Sequence, residues 1–240
     1  MSDTQRAQEV VGISGVSIAS EDVDATREAW CRFAGIEHSP ALVVGGVAVG
    51  VGPTVGGPEG LAAVTLAATD VSETLTLIGR RGLPVDGGVV DVAGTSWRVA
   101  GTTGQVDLDP RGGIEGVDHV VVSSTDPDRA AALYGARLGL ELRLDRTMPE
   151  HRMRGLFFRA GDSVVEVVTR LDGEGDGGEG GADCLSGIAW RTPDVAAVRE
   201  RLLGAEVDVS EVRPGRKQGT LVATVRDPDL RVPTLIVGPA

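Results

Sequence analysis

Val117-Asp118-His119-Val120-Val121-Val122 is an apolar run holding one aspartate and one histidine, and Val164-Val165-Glu166-Val167-Val168, about forty residues on, sets one glutamate among four valines. Both runs read as buried strands. A carboxylate stripped of water among valines costs several kcal/mol unless it meets a cation, a set of donors or a metal, or stays protonated. Side chains alternate along a strand, so His119, Val121 and Ser123 share one face of the first run. Val164, Glu166 and Val168 share one face of the second. A histidine and a glutamate on one concave face are the start of a metal site or an acid–base site.

The surrounding sequence repeats. Val120-Val121-Val122 leads to Asp126, and Val16-Ser17-Ile18-Ala19, Ala63-Val64-Thr65-Leu66-Ala67 and Ile188-Ala189-Trp190 lead to Asp22, Asp70 and Asp194. Each aspartate is placed to cap a helix. The helices are expected at Val23–Ala34, Val71–Arg81, Pro127–Leu138 and Val195–Leu203, each closed by a glycine (Gly35, Gly82, Gly139, Gly204) at the left-handed C′ position. Strand-like alternation follows, as in Leu140–Leu144 and Ala205–Val209. The unit is therefore β-α-β-β-β, four times over. One unit cannot bury both its helix and its sheet, whereas two paired units can enclose a cleft between curved mixed sheets. The expected fold class is α+β, with one domain over residues 1–104 and a second over 114–240, the break falling in Thr102–Gly116. Asp172–Asp183, rich in Gly and acidic residues, reads as a tether between the third and fourth units.

Composition narrows the function. The 240 residues carry a formal charge of −12, which argues against nucleic acid or an anionic membrane as partner. No apolar run is long enough to span a bilayer, and the polar start does not read as a signal peptide. Cys31 and Cys184 read as two separate thiols in a reducing compartment, so a cytoplasmic location is expected. Walker, dinucleotide-binding, zinc-finger and nucleophile-elbow patterns are absent.

The stretches Val117–Val122, Asp126–Ala130, Leu133-Tyr134, Leu138–Leu140, Phe157–Asp162 and Val165–Val167 resemble the module of the vicinal oxygen chelate superfamily. That group includes glyoxalase I, extradiol dioxygenases, fosfomycin- and bleomycin-resistance proteins and methylmalonyl-CoA epimerase. The likeness is good over the third unit, fair over the fourth and weak over the first half. It implies that His119 and Glu166 are metal ligands, for Zn, Mn, Fe, Ni or Mg, and catalytic residues. Counted from the capping aspartates, the His position holds Gly15, Ala63 and Gly187 in the other units, and the Glu position falls at Thr234 in the fourth and about Val99 in the second. The N-terminal half is therefore expected to be structural.

Three further features bear on a ligand. Arg213-Pro214-Gly215-Arg216-Lys217-Gln218-Gly219-Thr220 is a basic turn in an acidic chain, and Arg216 and Lys217 are expected to bind an anionic substrate. Trp190 is a second substrate-binding candidate, near Gly187, although packing is its more expected role. His151 and His38 read as surface residues. Two functions stay open: an enzyme (lyase, isomerase or dioxygenase) acting on a small oxygen-bearing substrate, and a metal-free protein that sequesters a small molecule. Either is expected to be a monomer or a homodimer.

Overall fold

All four capping aspartates hold their helices. The computed structural model describes residues 10–37, 39, 41–102, 112–172 and 181–240. Helix α1 is Val23–Ala34 and α2 is Val71–Arg80; α3 begins at Pro127–Ala130 and widens into a π-helix over Ala131–Arg137; α4 is Val195–Gly204. A carboxylate oxygen of Asp22 accepts from the Ala25 amide, Asp70 from Glu73, Asp126 from Asp128 and Arg129, and Asp194 from Ala197, at 2.8–3.0 Å. Each such cap stabilises by about 1 kcal/mol. Three are braced by a hydroxyl two residues upstream, Ser20, Ser124 or Thr192, which accepts from the aspartate amide at 3.1–3.3 Å.

The strands are β1 Val10–Ser20, β2 Val43–Val44, β3 Val47–Pro53, β4 Gly60–Ala68, β5 Val85–Asp86, β6 Val89–Val92, β7 Thr95–Gly101, β8 Gly116–Ser123, β9 Glu141–Met148, β10 Met153–Ala160, β11 Ser163–Arg170, β12 Cys184–Arg191, β13 Arg213–Pro214, β14 Thr220–Val225 and β15 Thr234–Pro239. They form two open mixed sheets, of seven strands (β2-β3-β1-β4-β7-β6-β5) and eight strands (β13-β14-β15-β12-β8-β11-β10-β9). In every unit the first strand pairs in parallel with the last: β1 with β3, β4 with β7, β8 with β11, β12 with β15. The first unit departs from expectation, with three strands among the described residues. Most of Thr102–Gly116 and of Asp172–Asp183 lies outside the described residues.

By packing, the chain divides into two units. The first comprises Met1–Ser14, Ala63–Gly104 and His119–Ser186. Its core holds Trp97, Tyr134 and Phe158, with ring centroids 5.9 and 6.0 Å apart along the series. A buried polar chain runs through it. The Trp97 indole donates to Thr95 Oγ1 at 2.8 Å, Thr95 Oγ1 lies 3.2 Å from the Tyr134 hydroxyl, and that hydroxyl donates to Asp183 Oδ2 at 3.1 Å. Asp183 Oδ1 in turn accepts from Arg129 at 2.6 Å. Each member satisfies the next, as a water-free interior demands.

The second unit comprises Gly15–Ala62, Gln105–Asp118 and Gly187–Ala240. Trp30, Phe33 and Trp190 cluster with centroids 5.5–5.8 Å apart, and the Trp30 indole donates to the Leu230 carbonyl at 3.2 Å. Arg201 donates to the carbonyls of Arg32 and Phe33 at 3.1 and 2.7 Å. These are the last carbonyls of α1, the negative end of its dipole. Burial holds the Arg201 pKa below its ordinary value.

The C-terminal glycines behave as expected at three of four positions: Gly35, Gly82 and Gly139 take φ of 71°, 85° and 90°. At the fourth, Glu206 rather than Gly204 is left-handed, at φ 59°. The Val207 amide then donates to the Leu202 carbonyl at 3.0 Å, closing α4 two residues later than the glycine suggested. This also corrects Ala205–Val209, which is a capping turn followed by a single bridge from Val209 to Val225.

Two outcomes test this account. A left-handed L-residue costs roughly 1–2 kcal/mol, part of which glycine returns through unfolded-state entropy, so Glu206→Gly is expected to stabilise by about 0.5–1 kcal/mol in chemical denaturation. Burial first, and then the Asp183 charge, push the Tyr134 pKa far above its ordinary value. The folded chain keeps this proton where the unfolded chain loses it, so stability is full below about pH 10 and falls above it, by at most about 1.4 kcal/mol per pH unit. Tyr134→Phe is expected to flatten that fall. Tyr134 is the single tyrosine, so tyrosinate absorbance reports it alone and is expected to appear only with unfolding.

Candidate functional site

The pairing of β8 with β11 decides what meets on the open face. Val164 lies opposite His119, Glu166 opposite Val121 and Val168 opposite Ser123. The intervening residues Val120, Val122, Val165 and Val167 are fully buried. Their face carries the core; the alternate face is only partly covered. Across the next pair Phe157 stands opposite Glu166, Arg159 opposite Val164 and Gly155 opposite Val168. On the edge strand Leu144 stands opposite Phe157 and Arg146 opposite Gly155. One row of the face thus reads Val121, Glu166, Phe157, Leu144.

His119 and Glu166 come together as expected. Nε2 of His119 lies 3.6 Å from Oε2 of Glu166, with side chains 22% and 12% exposed. That exceeds the 2.7–3.2 Å of an N–H···O hydrogen bond. Two ligands held about 2.1 Å from one tetrahedral ion lie about 3.4 Å apart, so this nitrogen and oxygen fit one shared cation. They supply two donors; among the described residues no group of three or more His, Cys, Asp or Glu could hold a metal ion. Further polar groups border the pair. Ser123 donates to Ser186 Oγ at 3.0 Å, and Ser186 donates to the Val121 carbonyl at 3.4 Å.

The other candidates fall elsewhere. Arg216 and Lys217 are exposed in the turn between β13 and β14, in the second unit, and among the described residues neither forms an ion pair. Trp190 is fully buried against Trp30 and Phe33 and has no surface for a ligand. The reason is alternation: Gly187 and Trp190 are three residues apart on β12 and so point to opposite faces. His151 ends an exposed 3₁₀ turn, Pro149–His151. His38 lies outside the described residues.

Register also corrects the equivalents of Glu166. Ala189 pairs with Leu235, which replaces Thr234, and Thr65 pairs with Arg98, which replaces Val99. The N-terminal half therefore does carry an ionisable residue at a site position. Phe157 and Ser186 were not singled out from sequence. For Phe157 the signal was present, since alternation puts one member of Phe157-Phe158 on the open face.

Residues 118–224 match the family model of the Glyoxalase/Bleomycin resistance protein/Dioxygenase superfamily. The chain resembles the vicinal oxygen chelate superfamily over these residues, fewer than half of its length. Its fold is similar to that of a 4-hydroxymandelate synthase variant from Streptomyces coelicolor, 13% identical, with 95% of this chain and 92% of that one covered at a TM-score of 0.73. It is also similar to a fusion of a xylose isomerase-like TIM barrel with 4-hydroxyphenylpyruvate dioxygenase, 13% identical, with 98% of this chain and half of that one covered at 0.70. A methylmalonyl-CoA epimerase from Mycobacterium tuberculosis is 22% identical over 53% of this chain and 90% of that one, at 0.46. No curated protein matches. No helix of the described residues is long and apolar enough to cross a membrane.

The face assignment has a direct check. Val167→Glu puts a carboxylate into the core and is expected to destabilise by several kcal/mol, whereas Val168→Glu, on the open face, is expected to cost about 1 kcal/mol or less. Urea denaturation of the two variants compares them; equal losses would contradict the register.

Proposed function

We propose that this chain is an enzyme acting on a small oxygen-bearing organic molecule, with His119 and Glu166 as the residues that bind and activate it. The observation that carries the reading is the 3.6 Å separation of Nε2 and Oε2 on a half-covered face. At that spacing the two atoms fit one shared guest. A divalent cation, one of Zn, Mn, Fe, Ni or Mg, suits one imidazole nitrogen and one carboxylate oxygen, with water and substrate oxygens completing its shell. Such a cation would polarise substrate oxygens and offset negative charge as it develops. His119 and Glu166 would fix its place, and Glu166 would orient a proton-bearing group of the substrate.

A metal-free sequestering protein is the second reading, favoured by the presence of two donors where catalytic zinc generally takes three protein ligands. Arg216 and Lys217, which belong to the second unit, are kept as a separate candidate pair for binding an anion. Both are exposed and, among the described residues, form no ion pair. In a chain of charge −12 an anion needs such a local cation.

Metal analysis separates the readings. Protein purified without chelator and titrated with Zn²⁺, Mn²⁺, Fe²⁺, Ni²⁺ and Mg²⁺ in a calorimeter is expected to bind one equivalent of at least one ion. Glu166→Gln and His119→Ala are each expected to weaken that binding at least tenfold with unchanged circular dichroism. Unchanged affinity in both variants would refute the metal reading. Binding of none of these ions would leave the sequestering protein.

A further inference from the structure

In the second repeat, Arg98 holds the ladder position that Glu166 holds in the third. Its strand, β7, is flanked on both sides, by β4 and β6, so the neighbours of Arg98 are fixed. Thr65 stands opposite on β4 and Val89 opposite on β6. Ser96 and Ala100, two residues before and after Arg98 on the same face, stand level with Ala63 and Ala67 of β4. The other face of these strands carries Val64, Trp97 and Val90, all fully buried. All of these residues belong to the first packing unit.

The floor around Arg98 is low and closed. On β4 and along β7 its neighbours on this face are no larger than threonine, and Ala63 and Ala67 are only 4% and 7% exposed. Arg98 itself is exposed, while Thr65 and Ser96 are half-buried. Three donor groups meet here without an acceptor. Among the described residues the Arg98 guanidinium and the hydroxyls of Thr65 and Ser96 form no hydrogen bond or ion pair with the protein. Thr65 is one strand spacing from Arg98, about 4.8 Å, and Ser96 about 7 Å along β7. Two carboxylates share the face. Asp91, opposite Ser96, is diagonal to Arg98, and its Oδ1 accepts from the Gly94 amide at 3.3 Å. Asp86 lies in the Arg98 row but two strands away, beyond Val89. Neither forms an ion pair with Arg98, so the guanidinium fork stays open.

We infer that Arg98, Thr65 and Ser96 form a binding site for a small oxyanion, a carboxylate or a phosphate, on the sheet face of the second repeat. Two parallel N–H groups of the fork match two oxygens of either group, which an ammonium cannot do. The hydroxyls supply further donors at the foot of the fork. The small floor leaves room for the anion and admits no side chain to compete with it. The site is independent of His119 and Glu166, and it gives the N-terminal half a ligand of its own.

The test titrates sodium acetate and inorganic phosphate separately into the ¹⁵N-labelled full chain at constant ionic strength, followed by nuclear magnetic resonance. Saturable shifts are expected at the Arg98 side-chain Nε–H and at the amides of Thr65 and Ser96. Acetate alone saturating these signals assigns a carboxylate, phosphate alone a phosphate, and both an oxyanion site without preference. Arg98→Gln is expected to weaken binding roughly tenfold or more. Arg98→Lys, which keeps the charge and loses the fork, is expected to weaken it roughly three- to tenfold. Asp91→Asn is expected to strengthen it roughly two- to threefold by removing a nearby like charge. Glu166→Gln is expected to leave it unchanged, and thermal melts confirm that the variants fold. No saturable shift with either anion would overturn the inference. So would shifts that chloride reproduces at the same ionic strength, or an affinity unchanged in Arg98→Gln or in Arg98→Lys.

Discussion

The parallel pairing of β8 with β11 is the constraint from which the site follows. A parallel pair needs a crossover, and the intervening segment supplies a helix and a hairpin. Both strands then alternate between a buried face and a half-covered one. A carboxylate tolerates the second face and not the first, so a slip of one residue would carry Glu166 into the core beside Val165 and Val167. The row of core valines is thus what specifies where the charge sits.

The same ladder recurs in every unit, and only the side chains change. At the two site positions the pairs are Gly15 with Gly50, Ala63 with Arg98, His119 with Glu166, and Gly187 with Leu235; each second member is the one whose place in the ladder corresponds to Glu166. One backbone therefore presents bare glycine, a cation, a His–Glu pair and a leucine. Chemistry resides in the grafted residues and not in the fold.

Much of this was legible in the sequence because its causes are local. The capping aspartates act within three residues of themselves, and Asp22, Asp70, Asp126 and Asp194 all cap as expected. The α+β fold of paired units and the meeting of His119 with Glu166 followed from periodicity and family likeness. What was missed depends on register or on long-range packing. Trp190 was placed near Gly187 by proximity in sequence, when the period of two sends it to the core. Glu206 was hidden because a glutamate carries no signal for a left-handed turn that glycine usually fills. The Thr95–Tyr134–Asp183 chain depends on partners far apart in sequence.

Electrostatics sets the order in which a site of the proposed kind must work. The chain carries −12, and Glu166 adds a negative charge at the centre of the open face, so an anionic guest meets repulsion on approach and again on arrival. Screening over about 8–10 Å removes the first term at physiological salt but not the second. Of the cations on the same face, Arg159 and Arg146 stand one row to either side of the Glu166 row, Arg159 already donating to the Gly161 carbonyl at 3.1 Å, and Arg170 stands a row beyond Arg146, paired with Asp172. None shares Glu166's own row. On the proposed reading a divalent cation held by His119 and Glu166 would offset that charge at the point of contact.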